Sequence, residues 1–224
     1  MVRVAGTADE EVFLDGGQKA AESILGILSR AGGTASITDV LDFGCGCGRV
    51  LRWLSSGYGF QAQGADLDMA AIEWCVVHLK PSAFMVNRLE PPLSLPAGSL
   101  DMIYALSVFT HITPDLQRKW VGEFARVLRP NGYLILSTHG ESYLGELMPA
   151  EVGRFQRGGI VVRFPNGAGS NLCNTFHPQA AFAELTGPEF EVMAFEPEGA
   201  RGNPHQDLWL LRKGSQSGQP PDLA

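Results

Sequence analysis

Residues 40 to 50 read Val40-Leu41-Asp42-Phe43-Gly44-Cys45-Gly46-Cys47-Gly48-Arg49-Val50, an apolar strand that runs into a glycine-spaced turn and straight on into a helix. Glycine suits such a turn because a side chain there would block close approach of the backbone to a ligand. The following helix points free N–H groups and its positive dipole end at the turn, so the carboxylate of an amino-acid moiety is welcome there. Asp42 can then meet a cationic amino group. By itself the turn is equally compatible with a glycine-rich connection that binds nothing. Asp66 shifts that balance. It ends the next strand, 18 positions after Gly48, where a carboxylate can accept hydrogen bonds from both ribose hydroxyls of a nucleoside lying over the sheet. A dinucleotide site would read G-x-G-x-x-G, and Arg49 stands in the place of the third glycine, which counts against a dinucleotide. A nucleoside joined to an anionic or zwitterionic group is implied.

On either side of this turn, short apolar runs alternate with helical stretches. The strands are Asp39 to Phe43, Phe60 to Asp66, Ser82 to Val86, Leu100 to Leu106 and Tyr133 to Thr138. Between them the spacing predicts helices over Arg49 to Ser55, Asp68 to Leu79 and Pro114 to Leu128, the last with Thr113 as N-cap and Pro130-Asn131-Gly132 as the turn that follows. Gly17 to Ala31 carries Ala20, Ala21, Ile24, Leu25, Ile27 and Leu28 at helical spacing and leads in. Alternation of this kind means βαβ units around a parallel sheet, an α/β fold. Beyond Thr138 the pattern loosens. Glu141 to Leu147 and Pro178 to Leu185 read as helical, and Gly158 to Asn174 as a loop rich in Gly and Asn. Phe190 to Glu196 and Gln206 to Arg212 read as an antiparallel pair closing one sheet edge, and Gly214 to Ala224 as a disordered tail.

A chain of 224 residues suits one α/β domain with room for one insertion, here placed at about residues 141–177, in a domain running from 1 to 213. No apolar run approaches the roughly 20 residues needed to cross a bilayer, and Met1 to Glu11 carries acids and no apolar signal core. A cytoplasmic protein without a membrane partner is the expectation. The net charge of −7 opposes the phosphate neutralisation that drives nucleic-acid binding. Cys45 and Cys47 are one residue apart, and Cys75 and Cys173 are isolated, so the four cysteines lack metal-site spacing and no metal is expected.

Taken with the sequence around it, the glycine turn resembles that of the class I methyltransferase family, in particular bacterial methyltransferase-domain proteins whose first motif reads like LDFGCGCGR. The resemblance spans most of Gly16 to Lys213. It includes Gly64-Ala65-Asp66-Leu67-Asp68, Asn87-Arg88-Leu89-Glu90-Pro91-Pro92-Leu93, Ser99-Leu100-Asp101-Met102-Ile103-Tyr104, Ser107-Val108-Phe109-Thr110-His111-Ile112 and Arg126-Val127-Leu128-Arg129-Pro130-Asn131-Gly132-Tyr133, in the family's order and spacing. It implies a doubly wound, mostly parallel seven-stranded sheet with an antiparallel last strand, and S-adenosylmethionine as cofactor. Carried over to this sequence, it implies that Gly44, Gly46 and Gly48, with Cys45 and Asp42 in the same turn, line the methionine part. It further implies that Asp66 holds the ribose, Leu67 packs on adenine, and Asn87 with Arg88 faces the adenine edge. The backbone near Leu106 and Ser107 would contact the cofactor's amino group. Asn87 stands where many relatives have Asp, and Asn131 where glycine is common; Asn can bond an amide edge and tolerates left-handed backbone.

Methyl transfer from a sulfonium is an in-line displacement, so the protein must align the reacting atoms and exclude water. A hydroxyl or protonated amine acceptor gains from a base, and histidine is the natural choice. His139, after the fifth strand at the sheet's carboxyl edge, is the first candidate. His111, after the fourth, could face the methyl, although a structural role is favoured for it; His177 can contact substrate from its loop. His78 and His205 are set aside as solvated or structural. Phe109, Phe164, Phe176 and Trp209 could line an acceptor pocket but fit a core equally well. The expected activity is O- or N-methylation of a small molecule. The competing reading is a non-catalytic cofactor-binding or scaffolding subunit. Methylation of nucleic-acid amino groups is disfavoured because Ala105-Leu106-Ser107-Val108 stands where an N-P-P-Y type signature would fall.

Overall fold

In a computed structural model that describes residues 9–80, 82–202 and 206–215, the alternating runs fold into one sheet with helices on both faces. Residues 1–8, His205 and residues 216–224 of the expected tail lie outside the described residues. In chain order the elements are α1 (Glu10–Ser29), β1 (Asp39–Phe43), α2 (Leu51–Gly57), β2 (Gln61–Asp66), α3 (Met69–His78), β3 (Ala83–Val86), β4 (Leu100–Ala105), α4 (Pro114–Val127) and β5 (Leu128–His139). A 3-10 turn (Glu141–Glu146), α5 (Pro149–Gln156), β6 (Val161–Arg163), β7 (Asn174–Phe176), α6 (Gln179–Thr186), β8 (Phe190–Glu196) and β9 (Gln206–Lys213) follow.

The spine of the sheet runs β3-β2-β1-β4-β5, all parallel, and continues through β9, antiparallel to β5, to β8 at the edge. This is the mostly parallel seven-stranded sheet that the resemblance implies, with β9 as the antiparallel strand. The chain adds a short antiparallel hairpin, β6 with β7. β7 pairs with His139 of β5, where β4, whose last partner on β5 is Leu136, no longer covers the edge.

Strand period decides the two cores, because successive side chains leave opposite faces. Leu41, Phe43, Ile103, Ala105, Trp209 and Leu211 pack with Trp120 and Phe124 of α4 and Phe182 of α6. Val40, Met102, Tyr104, Leu208 and Leu210 pack with Ala21, Ile24 and Leu28 of α1 and Leu54 of α2. Truncating a fully buried member such as Phe124 to Ala costs about 3–5 kcal/mol.

Three elements depart from the sequence reading. Helix α1 begins at Glu10, seven residues before Gly17, because the Asp9 carboxylate accepts from the amides of Glu11 (2.9 Å) and Val12 (3.2 Å). Strand β5 pairs from Leu128 onward, and Arg129 to Gly132 is a bulge: the register jumps from Leu100 opposite Leu128 to Met102 opposite Tyr133, with Asn131 left-handed at φ 63°. The span 158–174, read as loop, contains β6, and α5 precedes it. Asp207 accepts from the Glu198 amide at 3.0 Å and so ties the turn between β8 and β9. Among the described residues no helix is long and apolar enough to cross a membrane.

Candidate cofactor site

Strands β1, β2 and β4 end at a cavity of about 220 Å³. Of the residues expected to hold a cofactor, Asp42, Gly44, Cys45, Gly46, Asp66, Leu67, Asn87, Arg88, Leu106 and Ser107 line it. Gly48 is not among the lining residues. Its φ of 68° and its contact with α3 account for the glycine, since a Cβ there would lie 2.2 Å from Leu79 Cδ1. Gly44, at φ 80°, is the position of close approach: a Cβ would lie 2.3 Å from Val108 Cγ2, which packs down on the turn from beyond β4. The amides of Gly44 and Cys45 both donate to the Ala65 carbonyl, at 2.8 and 3.1 Å, fastening the turn to β2.

The acids sit at either end of this turn. Asp66 accepts from the Gly46 amide at 2.7 Å through one oxygen and from the Asp68 amide at 2.8 Å through the other. Each oxygen keeps a second lone pair. Asp42 is buried, and loss of solvent raises its carboxyl to about 7, with Asp66 adding repulsion while the Tyr104 hydroxyl and Arg49 oppose the rise. Arg49 lines the same cavity and is buried beside Asp42; burial lowers its guanidinium and the Asp42 charge offsets part of that. The sequence reading used Arg49 only as a missing glycine. A basic residue directly after a glycine turn was the signal that could have found it. Helix α2 starts at Leu51 and has seven residues, so its dipole is shorter and later than expected.

Asn87 shows the far wall. Its amide nitrogen donates to the Arg88 carbonyl at 2.7 Å, and its Oδ1 is buried with no hydrogen-bond partner. Leu67 and Leu89 stand half-exposed on the same wall. Gly169, Ser170 and Asn171, from the segment read as irregular, also line the cavity. The Gly169 amide bonds to the His111 carbonyl at 2.9 Å. Gly169 has a left-handed φ of 84°, which favours glycine, and a Cβ there would lie 2.7 Å from Leu89 Cδ1 and 3.1 Å from Leu67 Cδ1, so this segment packs closely on the two leucines.

Of the three candidate histidines, His111 alone lines the cavity. Its Nδ1 lies 2.8 Å from the Cys173 carbonyl, which can only accept, and burial lowers its pKa. The neutral ring therefore carries its proton on Nδ1 and leaves Nε2 as a lone pair. His139 packs outside the cavity wall, 4.1 Å centroid to centroid from Tyr143, 5.3 Å from Phe176 and 6.1 Å from His111, whose ring stands perpendicular to it. Burial, reinforced by His111, pushes His139 down to about 3.

His177 is buried, and desolvation takes it to about 3 as well. Gln117 gives both amide hydrogens to the carbonyls of Phe109 (2.6 Å) and Ile112 (3.0 Å), so its oxygen faces His177 Nε2 at 3.0 Å and accepts from it. His177 and Gln117 thus brace the turn that carries His111. Thr175 adds a bond from Oγ1 to the Ile112 carbonyl at 2.9 Å. Phe109, Phe176 and Trp209 are buried in the packed interior, and Phe164 is 70% exposed; none lines the cavity.

Residues 41–136 match the family model of the methyltransferase domain. The 2-methyl-6-phytyl-1,4-hydroquinone methyltransferase of Synechocystis is 29% identical over 102 residues, 45% of this chain and 31% of that protein. The human tRNA N(3)-cytidine methyltransferase METTL2B is 26% identical over 136 residues, 56% of this chain and 34% of that protein. The matches thus span about a third of the length of these curated relatives. A solved SAM-dependent methyltransferase from Methanosarcina mazei superimposes with a TM-score of 0.61 at 22% identity, covering 80% of this chain and 93% of that one. Sheet order and cavity position define the architecture of the class I methyltransferases. Within that architecture, residues 41–136 carry the match to the methyltransferase domain.

Proposed function

We propose that this chain transfers a methyl group from S-adenosylmethionine to an oxygen or nitrogen atom of a small molecule held beside His111. One observation carries the reading. A single cavity presents an adjacent buried acid and base, Asp42 and Arg49, then the Asp66 carboxylate, then an orphaned acceptor, Asn87 Oδ1. That series matches a zwitterionic amino acid, a ribose diol and an exocyclic amino group. In this reading Asp42 takes the ammonium and Arg49 the carboxylate. Asp66 accepts from the ribose hydroxyls, and Leu67 and Leu89 sandwich the base against the wall that Asn87 and Arg88 edge. Gly44, Cys45 and Gly46 supply the close backbone, with Leu106 and Ser107 beside them.

When bound, S-adenosylmethionine supplies an electrophilic methyl on a sulfonium whose charge is lost as the methyl leaves. This chain's part is to align an acceptor, keep water out and take a proton. The His111 Nε2 lone pair accepts the proton that a hydroxyl or amine nucleophile sheds, while Nδ1 stays bonded to the Cys173 carbonyl and holds the ring in place. His139 and His177 act behind it, as ring packing and as a brace. The insertion at about 141–177 recognises the acceptor, since it supplies both Cys173 and the lining residues Gly169, Ser170 and Asn171. A net charge of −7 favours a small acceptor over a nucleic-acid strand. Four unpaired thiols suit a reducing cytoplasm.

Calorimetric titration with S-adenosylmethionine and S-adenosylhomocysteine tests the cofactor part. Wild type should bind at the micromolar level, about −8 kcal/mol, and Asp66→Ala should not. Absence of binding by the wild type overturns the proposal. Binding without turnover of any acceptor in a screen of small hydroxyl and amine compounds would favour the scaffolding role.

A further inference from the structure

Ser107 lines the cavity with φ at 60°, a left-handed conformation that is strained for a non-glycine residue. Something must hold it there. The Ser107 amide donates to Ser137 Oγ at 2.7 Å. Having accepted that bond, the Ser137 hydroxyl passes its own proton to Gln206 Oε1, also at 2.7 Å. Gln206 Nε2 returns a bond to Ser107 Oγ at 2.9 Å, closing the ring. Ser137 is 0% exposed and Gln206 4%, so neither finds a substitute in solvent. The Ser137 hydroxyl has one hydrogen, which fixes both the direction of the ring and the orientation of the Gln206 amide.

The ring spans the end of β4, β5 and β9, strands that meet only in the folded sheet. Gln206 also bonds the Tyr143 hydroxyl, in the 3-10 turn of the acceptor-side insertion. The left-handed residue turns the Leu106–Ser107 backbone along the cavity wall at the point where β4 would otherwise run straight on. That wall adjoins the Gly44 turn, since the next residue, Val108, packs onto Gly44.

We infer that Gln206, through Ser137, is a positioning residue that locks Ser107 in its left-handed state and so shapes the half of the site that receives the cofactor's amino-acid moiety. The inference rests on the cofactor reading proposed above. It makes Gln206 selective: the nucleoside half, built from Asp66, Leu67 and Asn87, shares no bond with the ring.

The test compares two ligands, S-adenosylhomocysteine and 5′-methylthioadenosine, which keeps the nucleoside and lacks the amino-acid moiety. Titration of Gln206→Leu should show about tenfold weaker binding of S-adenosylhomocysteine, with methylthioadenosine within twofold of wild type. Ser137→Ala, a smaller change, should show the same selective loss and decides the matter if Gln206→Leu does not fold. Equal weakening of both ligands, or of neither, overturns the positioning role while leaving the cofactor reading intact. A wild type that binds neither ligand overturns the cofactor reading itself, and this inference with it.

Discussion

Asp42 offers the most direct physical test of the site. A carboxyl raised from its ordinary 3.8 to about 7 by burial is worth about 4 kcal/mol at 1.36 kcal/mol per tenfold. The folded chain holds the proton more tightly than the unfolded chain, so the group's stabilising contribution is full below pH 3.8 and is lost as pH rises to about 7. At pH 8, then, the unliganded protein carries a buried negative charge at its full cost. Asp42→Asn keeps the shape and removes the charge. It should raise unfolding stability by about 4 kcal/mol at pH 8, a melting shift of roughly 10 °C for a chain of this size, and by only about 1 kcal/mol at pH 4.5. The same variant should lose S-adenosylhomocysteine binding, since the ammonium loses its counter-charge. Thermal melts of wild type and variant across pH 4.5 to 8, paired with calorimetry at pH 8, read both effects. A variant that melts with the wild type at pH 8, or whose gain does not shrink as pH falls, would refute the account of Asp42 as a strained acid kept for binding.

Two further outcomes follow from the geometry. His111→Gln should keep S-adenosylhomocysteine affinity within twofold and lower kcat by about 10²–10⁴-fold, and the wild-type rate should rise with pH through a value below 6.5 and then level off; steady-state kinetics on an acceptor from the screen measures it. Arg129 pairs with Asp39 at 2.9 Å and with Asp101, whose pKa is lowered by the Thr38 and Asp39 amides and by Arg129 despite partial burial. Arg129→Leu should cost about 1 kcal/mol at pH 7, because the pairs are partly solvated, and the difference from wild type should vanish in urea melts taken as pH falls below 3.8.

The alternation of strand and helix was legible along the chain because each element shows its period locally: Leu41 and Phe43 to one face, Val40 to the other, with Ile24 and Leu28 one turn apart on α1. The turn from Asp42 to Gly48 and the acid at Asp66 were legible for the same reason, being contiguous or set at the end of a readable strand. β6 and β7 were not, since three residues cannot display a period of two, and β7 exists only because the edge of β5 is uncovered beyond β4. The early start of α1 was missed because Asp15-Gly16-Gly17 interrupts the apolar pattern between Phe13, which is buried, and Ala20.

The amino-acid sequence by itself determined the class of fold, the position of the glycine turn and the two acids that flank it, because these depend on neighbours within a few residues. Tertiary structure decided which histidine meets the cavity, that Arg49 faces inward beside Asp42, and that Gly169 lines the site. It also decided that Ser107 is held by Gln206, a partner 99 residues away. Those assignments depend on which strand ends and loops the sheet brings together, and no local pattern along the chain encodes that distance.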